Sequence, residues 1–189
     1  MARVTRDDWL AAARQLLIEG GFAKLTLENL LARLGVTHGS FYHHFKNRQA
    51  LTEALLKQWR KEMTLDVVAK AAHIGDAAQR AHALIDLGNR FTDQTQLEIA
   101  FRAQARLDPM VLEYVQEVDE LRIRNCTEMA KGLFGDTPQA ATIGRLAHAM
   151  FVGSQQMIPP FSAEESEAMY LTLLELVQHA TQHNKGNVS

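Results

Sequence analysis

The 189-residue chain has a single cysteine and only 7% aromatic residues. It has no apolar run approaching the roughly 18–20 residues that a bilayer span needs. Cys126, alone, excludes an internal disulfide, so a hydrophobic core must hold the fold. The opening residues, Met1-Ala2-Arg3-Val4-Thr5-Arg6-Asp7-Asp8, lack the apolar centre of a signal peptide. Cytoplasmic location, with no membrane partner, is the resulting expectation. No segment shows strand-like alternation, low complexity or a repeat of fixed period. What remains is an ordinary globular composition, 47% hydrophobic and 22% charged, long enough for one large domain or a small domain on a larger one.

Net charge is −2, which looks unsuited to nucleic acid until the chain is divided. Residues 1–48 hold seven Lys/Arg against four Asp/Glu, a net +3, and the remainder holds 13 against 18, a net −5. A basic head on an acidic body can turn one face to phosphates while the rest is repelled.

A cycle of cap residue, helical apolar spacing and breaker recurs along the chain. Thr5, with Asp8 three residues on, predicts a capping box for a first helix whose stripe is Trp9, Ala12, Ala13, Leu16 and Leu17. Gly20-Gly21 is expected to stop it. Thr26 opens a short helix with Leu27, Leu30, Leu31 and Leu34, closed by Gly35. Thr37 caps a third segment, His38 to Phe45, with Phe41 and Phe45 one turn apart. Asn47 opens a fourth helix with stripe Leu51, Leu55, Trp59 and Met63, expected to run to Val67 or Val68 and fray near Gly75. Five further helices are expected near 77–94, 96–107, 109–134, 138–157 and 163–183. Asp108-Pro109 and Thr137-Pro138 each place a cap before a first-turn proline, and Ser162 with Glu165 makes a second capping box. The fold class is therefore all-α, with about nine helices. Residues 1–48 form a three-helix helix-turn-helix domain, and 49–189 a helical regulatory and dimerisation domain.

The segment Thr26–Phe45 carries the functional signal. Two short helices around a glycine turn make a helix-turn-helix when they cross steeply. The second must keep its outward side small, polar and free of acid to enter a major groove. From Arg33 to Arg48 there is no Asp or Glu. His38, Gly39, Ser40, Tyr42 and His43 offer donors and close backbone approach, while Phe41 and Phe45 supply the buried side. The N–H groups following Thr26 and Thr37 are placed where phosphates can lie.

Gly35-Val36, Gly39, Tyr42 and His44-Phe45, preceded by Leu25-Thr26 and followed by Lys46-Asn47-Arg48 and Leu51, resemble the signature of the TetR/AcrR family of bacterial one-component regulators. The resemblance covers roughly residues 5–55. It implies that Thr26 caps the bracing helix against phosphate and that Thr37, His38, Gly39, Ser40 and His43 read the groove. Tyr42 and Lys46 would hold the DNA backbone. Arg48 stands where the family usually has lysine and keeps a cation at the start of the fourth helix. Gln49 replaces a frequent acid.

Other chemistries find less support. Adjacent His43 and His44 point about 100° apart on a helix and chelate poorly, so no metal is expected; His43 is expected to face DNA and His44 to bond near the domain junction. Cys126 reads as packing rather than as a redox sensor. No catalytic triad order, phosphate loop or cofactor motif is present, so neither catalytic residues nor a cofactor are assigned. Glu98, Asp119 and Glu120 read as solvated helix faces. The alternatives are a DNA-binding protein without a ligand or a helical enzyme.

In the 138–157 helix, Ile143, Leu146, Ala147, Met150, Phe151 and Ser154 keep helical spacing, and the last helix is apolar on two sides. A homodimer interface is expected through Ala147, Met150, Phe151, Ser154, Leu171, Leu174 and Gln178. The family resemblance implies a twofold four-helix bundle there, hence a pseudo-palindromic double-stranded operator. Candidate walls for a small-molecule effector, expected to be largely apolar, are Trp59, Met63, Phe91, Phe101, Gln104, Tyr114 and Phe151.

Overall fold

The computed structural model describes residues 4–89 and 92–186, and among them every regular element is a helix. Phe91 lies outside the described residues. The chain divides into two compact units, residues 1–63 with 93–117 and residues 64–92 with 118–189. The first holds α1 (Arg6–Lys24), α2 (Leu27–Leu34), α3 (His38–His44), α4 (Arg48–Arg60), most of α7 (Thr92–Ala105) and the start of α8 (Pro109–Phe134). The second holds α5 (Asp66–Ala72), α6 (Ala77–Asn89), the rest of α8, α9 (Pro138–Gln156) and α10 (Ala163–Gly186). Between α4 and α5 the chain takes a π-helical turn, Lys61–Leu65.

Most helix starts follow the expected capping chemistry. Thr5 and Asp8 form a reciprocal capping box, with Thr5 N–H donating to Asp8 Oδ2 at 2.8 Å and Asp8 N–H to Thr5 Oγ1 at 3.3 Å. Thr26 Oγ1 accepts from Asn29 N–H at 3.2 Å, Asn47 Oδ1 from Ala50 N–H at 2.8 Å, and Asp108 Oδ1 from Met110 N–H at 2.9 Å. Ser162 and Glu165 close the second box, at 2.8 and 3.1 Å. Thr37 and Thr137 stand at the N-cap positions but make no side-chain cap bond. Gly20-Gly21 interrupts α1 rather than ending it, and one further turn reaches Lys24. The fourth helix likewise outruns its expectation, passing through the π-turn to Ala72.

The core of the first unit is large and apolar. Trp9, Leu16, Leu17, Leu30, Phe41, Leu51, Leu56, Trp59 and Phe101 are all buried. Trp9 meets Phe41 edge-on at 5.3 Å, and Phe41 stacks on Phe45 at 5.8 Å. Such side chains each contribute about 1.5–3 kcal/mol on burial. In the second unit α10 packs on α6 and α9, and α5 on α6. There α8 and α9 approach so closely that a Cβ on Gly144 would lie 2.7 Å from the Thr127 backbone nitrogen. Only glycine fits at that contact.

Candidate nucleic-acid interface

The geometry of the helix pair follows from its turn. Gly35 closes α2 in the left-handed conformation (φ 65°, ψ 36°), and its N–H and that of Val36 both donate to the Leu31 carbonyl. A residue with a Cβ would be strained there, so the chain turns sharply into α3 at this glycine. Phe41 and Phe45, 2% and 3% exposed, then fix the inner side of α3. His44 Nε2 lies 3.1 Å from the Val4 carbonyl and donates to it, tying α3 to the chain entering α1. That bond is internal to the head, not at the junction with the body.

With its inner side fixed, α3 leaves Thr37, His38, Gly39, Tyr42 and His43 exposed and Ser40 partly so. Tyr42 is 58% exposed although its ring touches Phe41 edge-on at 5.3 Å, so the phenol is held while its hydroxyl faces outward. The Thr37 hydroxyl is not used in capping its own helix. Lys46, Asn47 and Arg48 continue the exposed surface into α4. Thr26 is partly buried and engaged with Asn29.

The electrostatics of this face differ from those of the bracing helices. The first turns of α1 and α2 carry Asp7, Asp8 and Glu28, whereas those of α3 and α4 carry no acid. At α4, thirteen residues long, the helix dipole and the Arg48 side chain both present positive charge at the same end. Arg33 is drawn back instead to Glu19 of α1, at 2.6 Å, and its guanidinium holds the Glu19 carboxyl below the ordinary range. Arg33 thus braces α1 and α2, and the exposed cations of the face are Lys46 and Arg48.

The other candidate residues separate between the two units. Trp59 and Phe101 are 1% and 0% exposed and pack on each other at 5.2 Å, with Phe22 6.0 Å from Phe101. Met63, Gln104 and Tyr114 are partly buried in the same unit, and the Arg60 guanidinium lies 5.9 Å from the Tyr114 ring centre. Phe151 belongs to the second unit. It faces inward, with Arg122 over its ring at 5.1 Å and His148 stacked at 6.3 Å. Ser154 is buried too and donates to the Phe151 carbonyl at 2.9 Å. Ala147, Met150 and Leu174 are half-buried, while Leu171 and Gln178 are exposed.

Several polar groups have roles that the sequence reading missed. Glu98, read as solvated, is 2% exposed and takes two hydrogen bonds from Arg102 at 2.8 and 3.0 Å. Their four-residue spacing was the available signal. Asp119 is likewise engaged, by buried His148 at 2.9 Å, whereas Glu120 is exposed as expected. Gln155 is 8% exposed with its Oε1 unpartnered. Burial pushes the Cys126 thiol up to about 11 despite the nearby Arg122 charge, the opposite of a reactive thiolate. Among the described residues no group of three or more His, Cys, Asp or Glu is placed to hold a metal ion, and no helix is long and apolar enough to cross a membrane.

Residues 10–55 match the family model for bacterial regulatory proteins of the tetR family. The HTH-type transcriptional regulator BetI of Proteus mirabilis is 24% identical over 178 residues, covering 88% of each chain. The class D tetracycline repressor protein of Escherichia coli is 42% identical over 55 residues, 29% of this chain and 25% of its own. Among solved structures, a transcriptional regulator from Rhodococcus sp. Rha1 superposes with TM-score 0.79 at 17% identity, covering 94% of this chain and 97% of the other.

Proposed function

The chain belongs to the TetR family of transcriptional regulators, and we propose that it is a homodimeric repressor that binds a pseudo-palindromic operator and is released by a small molecule. Members of this family regulate transcription and are not enzymes. The observation that carries the reading is the exposed, acid-free face from Thr37 to Arg48, held outward by buried Phe41 and Phe45. Thr37, His38, Gly39, Ser40 and His43 read base edges; Tyr42, Lys46, Arg48 and the Thr26 helix start hold phosphates. A twofold axis would set two such faces about one DNA turn apart.

A second copy is favoured by large apolar side chains left outside on the last two helices. Leu146, Leu171 and Leu176 are 48%, 37% and 64% exposed. The effector, in this reading a modest-sized and largely apolar molecule, acts by binding the DNA-incompetent dimer more tightly. Its effect reaches the head through a tilt of α4 that changes the separation of the two α3 helices.

The test is selection of DNA from a random-sequence library, followed by a salt titration of wild type and Arg48→Ala on the selected fragment. We expect an inverted repeat, and a salt slope about one unit shallower for Arg48→Ala with similar weakening on all sequences. No enriched sequence would refute the regulator reading; identical salt slopes would refute the role of Arg48.

A further inference from the structure

One turn of the molecule departs from α-helical geometry at the place where the two units divide. Lys61–Leu65 is π-helical, and the division falls between Met63 and Thr64. A π-turn carries an extra residue relative to an α-turn, with poorer hydrogen bonding, and persists where other contacts hold it. Here the holding contacts are specific. Within the first unit Glu62 Oε2 accepts from Arg14 of α1 at 3.0 Å, and Glu62 Oε1 from Gln58 at 2.7 Å. Within the second, Thr64 is 1% exposed and its Oγ1 accepts from Arg122 Nε of α8 at 3.2 Å. The same Arg122 lies over Phe151, which stacks on His148, itself bonded to Asp119.

We propose that Lys61–Leu65 is the register switch of this regulator, with Arg14 and Arg122 as the positioning residues that hold it in the π form. The proposal rests on the regulatory reading above and assigns its moving part. Relaxing one π-turn to α geometry rotates the following helix by about 100° relative to what precedes it and shifts it about 1.5 Å. Such a step is discrete, as a two-state switch requires. Any event that re-seats Phe151 or the Arg122 guanidinium reaches Thr64 through one buried hydrogen bond. Thr64→Val keeps the shape and removes that acceptor. The turn then samples both registers, and apparent DNA affinity falls with the fraction that stays competent.

The experiment uses the full-length protein and the DNA fragment that the wild type enriches from a random library, with affinity read by fluorescence anisotropy. Thr64→Val, far from the exposed face of α3 in sequence, should weaken binding about tenfold, and Thr64→Ser should restore it. Combined with Arg14→Gln, it should lose at least about threefold less than the product of the two single losses, because both act on one switch. Circular dichroism and melting confirm that each variant is folded; if Thr64→Val does not fold, Arg122→Lys replaces it in the same cycle. Unchanged or tighter binding by a folded Thr64→Val, or strict multiplicativity of the two losses, would overturn the proposal. If the wild type enriches no sequence, the regulator reading itself fails; if it does and Thr64→Val binds equally, only the switch fails.

Discussion

The two units are built on different principles. Trp9, Trp59, Phe41, Phe45 and Phe101 are buried in the first, alongside a set of leucines. In the second, the buried apolar side chains among the described residues are Ala71, Ala81, Val118, Ala130 and Ala140. Five polar residues, Thr64, His148, Ser154, Gln155 and Ser166, are buried with them. The same unit leaves Leu65, Leu146, Met157, Ile158, Leu171 and Leu176 exposed. The first unit satisfies its apolar surface within one chain. The second keeps polar groups inside and large apolar groups outside, the pattern of a part completed by a second copy and tuned by what enters it.

The largest effect expected from this contrast is on assembly. Leu171→Asp with Leu176→Asp should give a monomer in sedimentation and lower affinity for the selected DNA by on the order of a hundredfold, since two half-sites are no longer held together. The wild-type melting temperature should rise with protein concentration, as it does for a folded state that includes a partner. A concentration-independent melt would break the comparison.

Next comes the head. Trp9→Ala removes a fully buried ring packed edge-on against Phe41 and should destabilise the first unit by about 3–5 kcal/mol in denaturant titration. A loss below about 1 kcal/mol would mean that its core is not the closed one described. Gln155→Met should act in the other direction. The buried Oε1 has no partner, so an apolar replacement of similar length should raise stability by about 1 kcal/mol. A loss instead would show that this amide is satisfied in solution.

The smallest effect is alkaline. Burial raises the Cys126 thiol from 9.0 to about 11 and pushes the Tyr170 phenol up from 10.0 as well. Both groups bind their protons more tightly folded than unfolded, so stability is full below about pH 9 and falls as pH rises through the range where only the unfolded chain has ionised. Tyr170 donates to the Ala147 carbonyl at 3.3 Å, and Tyr170→Phe should flatten the decline above pH 10 at some cost in neutral stability. Urea midpoints for the second unit between pH 8 and 11 measure it, and parallel curves for both proteins would exclude the Tyr170 contribution.

Local chemistry was legible in the sequence from end to end. The capping boxes at Thr5 and Ser162, the Gly35 turn, and the start of the 109–134 helix at Asp108-Pro109 appear where their residue types require them, because each depends on groups within a few positions. The exposed face of α3 was legible for the same reason, since Phe41 and Phe45 fix its inner side one turn apart. Thr37 and Thr137 mark the limit of that logic, with the right residue at the right position and no cap bond made.

What the sequence determined, then, is the order of the helices and the head whose polar second helix turns outward, since these follow from short-range sterics, capping and periodicity. Tertiary structure alone decided that Phe151 turns inward to Arg122 and that Glu98 is buried beside Arg102. It also decided that the helix leaving the head passes through a π-turn held at Glu62 and Thr64. Those outcomes depend on partners tens of residues away, or on how surrounding helices close over a side chain, and no local pattern encodes either.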